Sequence, residues 1–148
     1  MNIVLYQPEI PQNTGSIGRT CMAAGASLHL IHPLGFRLSE KNLRRAGMDY
    51  WESLKIYEYD NFSNFLDKNP SADLFFAETN ENALIYTQAK FSIDDFIVFG
   101  SESQGIPKDI LEKYPNRVIK IPMKNNSRSL NLAASVAIIL YEAIRQNS

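Results

Sequence analysis

Six short runs of apolar, β-favouring residues, separated by intervals wide enough for helices, narrow the folds open to this 148-residue chain more than any other feature. They are Asn2–Tyr6, Leu28–Ile31, Lys55–Tyr57, Leu74–Ala77, Phe96–Phe99 and Val118–Ile121. Several are continuously apolar, the pattern of strands covered on both faces. Helix-compatible segments lie between them at Thr14–Ala24, Ser39–Ala46, Phe62–Asp67, Pro107–Lys113 and from Leu130 to about Gln146. Strands alternating with helices predict an α/β fold with a mostly parallel sheet and helices on both faces. The length suits one domain over residues 1–148, and no repeat, linker or low-complexity tract divides it.

The stretch Leu130–Ile144 is apolar nearly all round on a helix, interrupted by Asn131, Ser135, Tyr141 and Glu142. It falls short of the roughly 20 apolar residues a bilayer crossing needs, so it predicts a buried helix and no membrane association. Met1 runs straight into a strand-like segment without a signal-peptide profile, and the single cysteine, Cys21, cannot form an internal disulfide. A cytoplasmic protein is expected. Cys21 reads as a core thiol, and with His29 and His32 it gives no metal-ligand spacing, so no metal is expected. A net charge of −1 gives no field that would draw nucleic acid from a distance. RNA contact would need a local patch, the densest being Arg37, Lys41, Arg44 and Arg45; charge alone describes a solvated helix face as well.

Ligands of parallel sheets sit outside the carboxyl ends of the strands, and the unusual loops of this chain fall there. In Phe99–Pro107 (FGSESQGIP), Gly100 and Gly105 bracket a polar turn, and Glu102 is a carboxylate suited to a hydroxyl or amine. An ordinary strand-to-helix turn with a solvated glutamate explains the same residues. Neither G-x-x-x-x-G-K-S/T nor G-x-G-x-x-G is present, which removes the main support for kinase and dinucleotide readings. In Ile121–Leu132, Ser129 or Asn131 can cap the final helix, yet a whole run of Asn, Ser and Arg entering the most apolar element also suits a ligand's polar edge. In Gln7–Arg19, two prolines fix an extended lead-in to a helix expected to begin near Asn13, with Asn13 as its cap. Arg19, about one and a half turns in, is either a surface cation or a group that holds a phosphate or assists a hydroxyl nucleophile.

Together these three loops resemble the three signature motifs of the SPOUT superfamily of RNA methyltransferases, the α/β-knot enzymes, in matching order and spacing over essentially the whole chain. Leu5–Gly15 (LYQPEIPQNTG), Leu43–Tyr50 (LRRAGMDY) and Ser127–Leu132 (SRSLNL) are most similar to the branch that methylates the 2′-hydroxyl of the anticodon wobble nucleotide, cytidine or uridine. The resemblance implies a C-terminal trefoil knot that binds S-adenosylmethionine, an obligate homodimer whose sites are completed by the partner chain, and tRNA as substrate. By the family pattern Glu78, Gly100, Glu102, Gly105, Ile121, Ser129 and Leu130 hold the cofactor. Arg19 activates or orients the hydroxyl, while Ser129 and Asn131 order the pocket. Lys41, Arg44, Arg45, Arg128 and Tyr141 become candidates for RNA contact.

Two positions depart from the pattern. Glu78–Asn82 (ETNEN) stands where relatives carry a Thr-Thr-Lys-Gly-like stretch, and Gly18 replaces a more usual aliphatic residue and is expected to loosen its helix by up to about 1 kcal/mol. The alternatives are a knotted methyltransferase for another tRNA or rRNA site, many of which carry an added RNA-binding domain, and a non-catalytic RNA-binding module of the same fold.

Overall fold

Ile3, Val4 and Leu5 are completely buried. A strand with no polar face must be covered on both sides, and this one lies inside the sheet. The computed structural model, which describes residues 1–39, 41, 50–125 and 127–148, runs β1 (Asn2–Tyr6), α1 (Pro11–Ala24), β2 (Ser27–Ile31), β3 (Ile56–Tyr59), α2 (Phe62–Lys68), β4 (Leu74–Ala77), β5 (Leu84–Ile85), β6 (Phe96–Phe99), α3 (Lys108–Glu112), β7 (Val118–Lys120) and α4 (Leu132–Gln146). Single 3-10 turns occupy Trp51–Ser53 and Tyr86–Gln88. The strands form one seven-stranded sheet of order β3-β2-β1-β6-β4-β7-β5, every pairing parallel. Exposure rises toward its edges, at Tyr57 in β3 and Leu84 in β5.

The strand side chains alternate between two cores. Ile3, Leu5, Leu28, Leu30, Phe75, Ile97 and Ile119 pack with Ile17 and Cys21 of α1 and with Val136, Ile139, Leu140 and Ala143 of α4. Val4, Ile31, Phe76 and Val98 face the other way, toward Phe65 of α2 and Ile110 of α3. Helices therefore cover both faces, as the continuous apolar runs required.

The differences from expectation have local causes. The two-residue edge strand β5 is too short to show a periodicity. The helix α1 starts at Pro11, not Asn13: proline at the first helical position supplies a preset φ and needs no N–H partner. Its cap residue is Ile10, Asn13 is free for other work, and Arg19 lies slightly more than two turns in. Gly18 does not loosen the helix for nothing: a Cβ there would lie 3.0 Å from Leu54 Cδ2 and 3.4 Å from Trp51, so the missing side chain lets that segment pack close. The final helix is not buried all round, because Ile138 and Tyr141 are exposed. Most of the predicted Ser39–Ala46 helix lies outside the described residues. Among the described residues no helix is long and apolar enough to cross a membrane.

Candidate active site

The strand order reverses beside β1: the chain moves outward to β2 and β3, then returns to β4 with β6 filling the space between. Such a switch point leaves a crevice at the carboxyl ends. A cavity of about 520 Å³ opens there, within the usual range for small-ligand sites. It is walled by the exits of β4 (Glu78, Thr79), β6 (Gly100–Gly105) and β7 (Ile121, Met123), by Ser129–Leu132, and by Ile10 and Asn13 at the start of α1. All seven predicted cofactor residues line it, as does Asn131.

The Gly100–Gly105 loop is built by close approach. A Cβ on Gly100 would lie 2.2 Å from the carbonyl carbon of Gly105, and Gly105 has φ +68° with Glu78 Oε2 2.5 Å from its Cβ position. A side chain at Gly100 would meet backbone, and one at Gly105 would be strained by the positive φ and would displace the Glu78 carboxylate. Glu78 supplies the brace: Oε2 accepts from Ile106 N at 2.9 Å and Oε1 from Thr79 N at 2.9 Å. Glu78, in the stretch that departs from the family pattern, thus has a definite job, which is to hold the neighbouring loop. Glu102 accepts from Glu9 N (2.7 Å), Ile10 N (3.1 Å) and Asn13 Nδ2 (3.4 Å), fastening the loop to the entrance of α1. Each carboxylate oxygen accepts more than one donor, so Glu78 and Glu102 keep capacity for a ligand.

The opposite wall differs. Among the described residues, those between β7 and α4 form neither helix nor strand. Asn131 does cap α4, accepting from Ala134 N at 3.2 Å, and donates to Asn13 Oδ1 at 3.0 Å. Asn13, read from sequence as a cap, is instead a buried link between Asn131 and Glu102. Its signal, an Asn two residues after Pro11, was that of a helix start, and only the tertiary contact shows its use. Met123 was also missed, a lone apolar side chain in a polar stretch.

Arg19 does not line the cavity. It is exposed on α1, its guanidinium 5.7 Å from the centre of the Tyr50 ring, whose hydroxyl donates to Gly15 O. Arg128 and Lys41 are exposed, Tyr141 is half exposed on α4, and Arg44 and Arg45 lie outside the described residues. A second cavity, of about 750 Å³ beside α3, takes in Glu78 alone among the predicted site residues. Its size does not make it the better site, because only the first gathers loops from four strand ends.

The remaining reactive groups are structural. Cys21 is fully buried and burial pushes its thiol up to about 12. His29 is held neutral by burial, its pKa lowered to about 4, with Nδ1 at 2.8 Å from Tyr59 Oη and Nε2 at 3.2 Å from Asn2 Oδ1. No group of three metal-ligating side chains occurs among the described residues.

Fold and cavity define a parallel α/β domain with a ligand site at its switch point. Residues 1–141 match the SpoU rRNA Methylase family, and the chain belongs to that family. A tRNA (cytidine(34)-2′-O)-methyltransferase of Aeromonas hydrophila subsp. hydrophila is 44% identical over 147 residues, covering 99% of this chain and 94% of its own. A solved structure described as "Structural insights into the 2-OH methylation of C/U34 on tRNA" superposes with a TM-score of 0.91 at 44% identity, over 99% of this chain and 95% of that one. The AdoMet-bound rRNA methyltransferase from Sinorhizobium meliloti superposes with a TM-score of 0.83 at 25% identity, over 97% of this chain and 55% of that longer one.

Proposed function

We propose that the protein is a tRNA 2′-O-methyltransferase that uses S-adenosylmethionine to methylate the ribose of nucleotide 34, a cytidine or uridine at the wobble position. The observation that carries this reading is the meeting of three sequence-distant motif loops in one cavity at the switch point. The names of the 44%-identical relative and of the 44%-identical structure support the substrate, and the AdoMet-bound relative supports the cofactor.

The cavity suits that cofactor. Phe99, Ile119, Ile121 and Leu132 offer apolar surface to a purine, while Glu78, Glu102, Ser129 and the loop backbone offer partners to a ribose diol and an amino group. When bound, the cofactor supplies a methyl group made electrophilic by its sulfonium. Gly100, Gly105, Ile121 and Leu130 shape and dry the site, and Ser129 and Asn131 order it, so that positioning supplies much of the rate. Arg19 orients the 2′-hydroxyl, holding the flanking phosphate.

Arg19 lies outside its own cavity, so it acts on the site of a partner in a homodimer. Supporting this, Arg19 and Met22 share one face of α1, Met22 is 43% exposed, and α4, which packs against α1, also exposes Ile138. Lys41, Arg44, Arg45, Arg128 and Tyr141 contact the tRNA. The protein is a single cytoplasmic domain with a C-terminal trefoil knot. Supporting the knot, β7 lies between the consecutive strands β4 and β5, so the 78–83 connection spans the exit of β7, where Lys120 Nζ bonds Glu81 O at 2.6 Å.

The test is incubation with labelled S-adenosylmethionine and total tRNA, followed by mapping of 2′-O-methylated nucleotides. Methyl at position 34 is expected. Absence of cofactor binding would end the enzyme reading, and methyl elsewhere in tRNA or only in rRNA would overturn the assigned nucleotide.

A further inference from the structure

The carboxylates of Glu9 and Glu102 bond in opposite directions across one narrow gap. Glu102 reaches from the β6 loop to the backbone of Glu9 and Ile10. Glu9 reaches back, its Oε1 accepting from Ser103 N at 3.1 Å and from Ser103 Oγ at 2.6 Å. Two adjacent residues on each side are thus fastened by four bonds. The Glu9 side is itself seated: Gly35 N donates to Pro8 O at 2.9 Å, and a Cβ on Gly35 would lie 2.6 Å from Glu9 Cα. The segment Pro8–Ile10 is therefore a fixed anchor, and the tip of the 101–104 loop hangs from it.

We propose that Glu9 is a positioning residue for the cofactor cavity, acting through Ser103 to hold the 101–104 tip in its ligand-ready place. This rests on the reading of the cavity as the S-adenosylmethionine site. Glu9 does not line the cavity, while Ser101, Glu102, Ser103 and Gln104 all do. The base of the loop is secured independently, by Glu78 to Ile106 N and by Ser101 O accepting from Gly105 N at 2.9 Å. Loss of the Glu9 carboxylate should consequently free Ser103 and loosen the tip, which keeps the Glu102 bonds to Glu9 N, Ile10 N and Asn13 Nδ2, and leave the base intact. A tip that must be ordered on binding weakens affinity by the ordering cost, with no contact to the ligand removed. The two Ser103 bonds also hold the Glu9 carboxyl below the usual range, as a group whose ionised form is engaged should be.

The experiment compares wild type, Glu9→Ala and Glu9→Gln. Amide hydrogen exchange is measured on each protein without ligand, then S-adenosylmethionine affinity by titration calorimetry and the thermal midpoint of each. A glutamine oxygen still accepts from Ser103, so Glu9→Gln should behave like wild type. Glu9→Ala is expected to speed exchange of the 101–104 amides about tenfold, spare Gly105 and Ile106, and raise the cofactor Kd about tenfold. Unchanged exchange at 101–104 in Glu9→Ala overturns the proposal. So does a fall in thermal midpoint with faster exchange through β1 and β6, which would make Glu9 a general fold contact. If exchange responds as expected but wild type binds no cofactor, the reading of the cavity fails while the positioning of the loop by Glu9 stands.

Discussion

The two walls of the cavity are made differently. Residues 100–106 are held by a glycine–glycine contact, by Glu78, and by crossed bonds to Glu9, Ile10 and Asn13. Facing them, the described residues between Ile121 and Leu130 are held among themselves by one turn bond, Ser127 N to Lys124 O at 3.1 Å, with Asn131 as the anchor at the far end. Among the described residues the first wall is cross-braced and the second carries few bonds of its own, so ordering on binding is expected of the second. A site of this kind gains affinity from the rigid wall at little ordering cost and encloses its ligand with the second.

The largest effect should come from outside both walls. Arg19→Ala is expected to slow single-turnover methylation of tRNA by about 100- to 1,000-fold, the usual cost of losing one aligned donor, while cofactor Kd from titration changes less than about twofold. Collapse of cofactor binding instead would make Arg19 part of the wall and break the comparison. Next is Gly100→Ala, whose new methyl meets the Gly105 backbone. It should cost about 1–3 kcal/mol in urea unfolding and on the order of tenfold or more in cofactor affinity, whereas Met123→Ala on the open wall should keep wild-type stability to within about 0.5 kcal/mol.

A smaller effect is expected on stability from pH, read in the same unfolding assay and independent of either wall. His29 has a folded pKa of about 4 against about 6.5 in an unfolded chain. The unfolded state therefore binds the proton first. The stability that neutral His29 contributes is fully present above about pH 6.5 and is lost as pH falls toward 4, on the order of 2 kcal/mol between pH 7.5 and pH 5. His29→Gln should flatten that part of the profile. Smallest is Asn131→Ala, which removes the cap of α4 and its tie to Asn13. About 1 kcal/mol is expected, a fall in Tm of about 2–4 °C; no change would mean the open wall needs no anchor.

These contrasts also separate what was readable in the residues from what was not. Burial on both faces of β1, β4 and β6 was written in their continuous apolar runs, whereas each site loop had a plausible structural explanation by itself and stood out only when the three were taken together. Gly100 and Gly105 were visible as glycines, but the reason for them, one backbone against another, needed the fold. Asn13 was misread because a local cap signal and a long-range link use the same side chain, and Pro11 had already started the helix. Glu78 was read as a cofactor residue within a stretch that departs from the family pattern; its bond to Ile106 N, 28 residues away, needed the fold. Glu9 lay inside a singled-out motif but without a role, since its partner Ser103 is 94 residues distant.

Amide hydrogen exchange with and without S-adenosylmethionine tests the central claim most directly. Strong new protection is expected across 121–125 and 127–131, with 100–106 already slow and little changed. Protection centred on 80–83 and 108–115, around the second cavity, or on none of these segments, would contradict it.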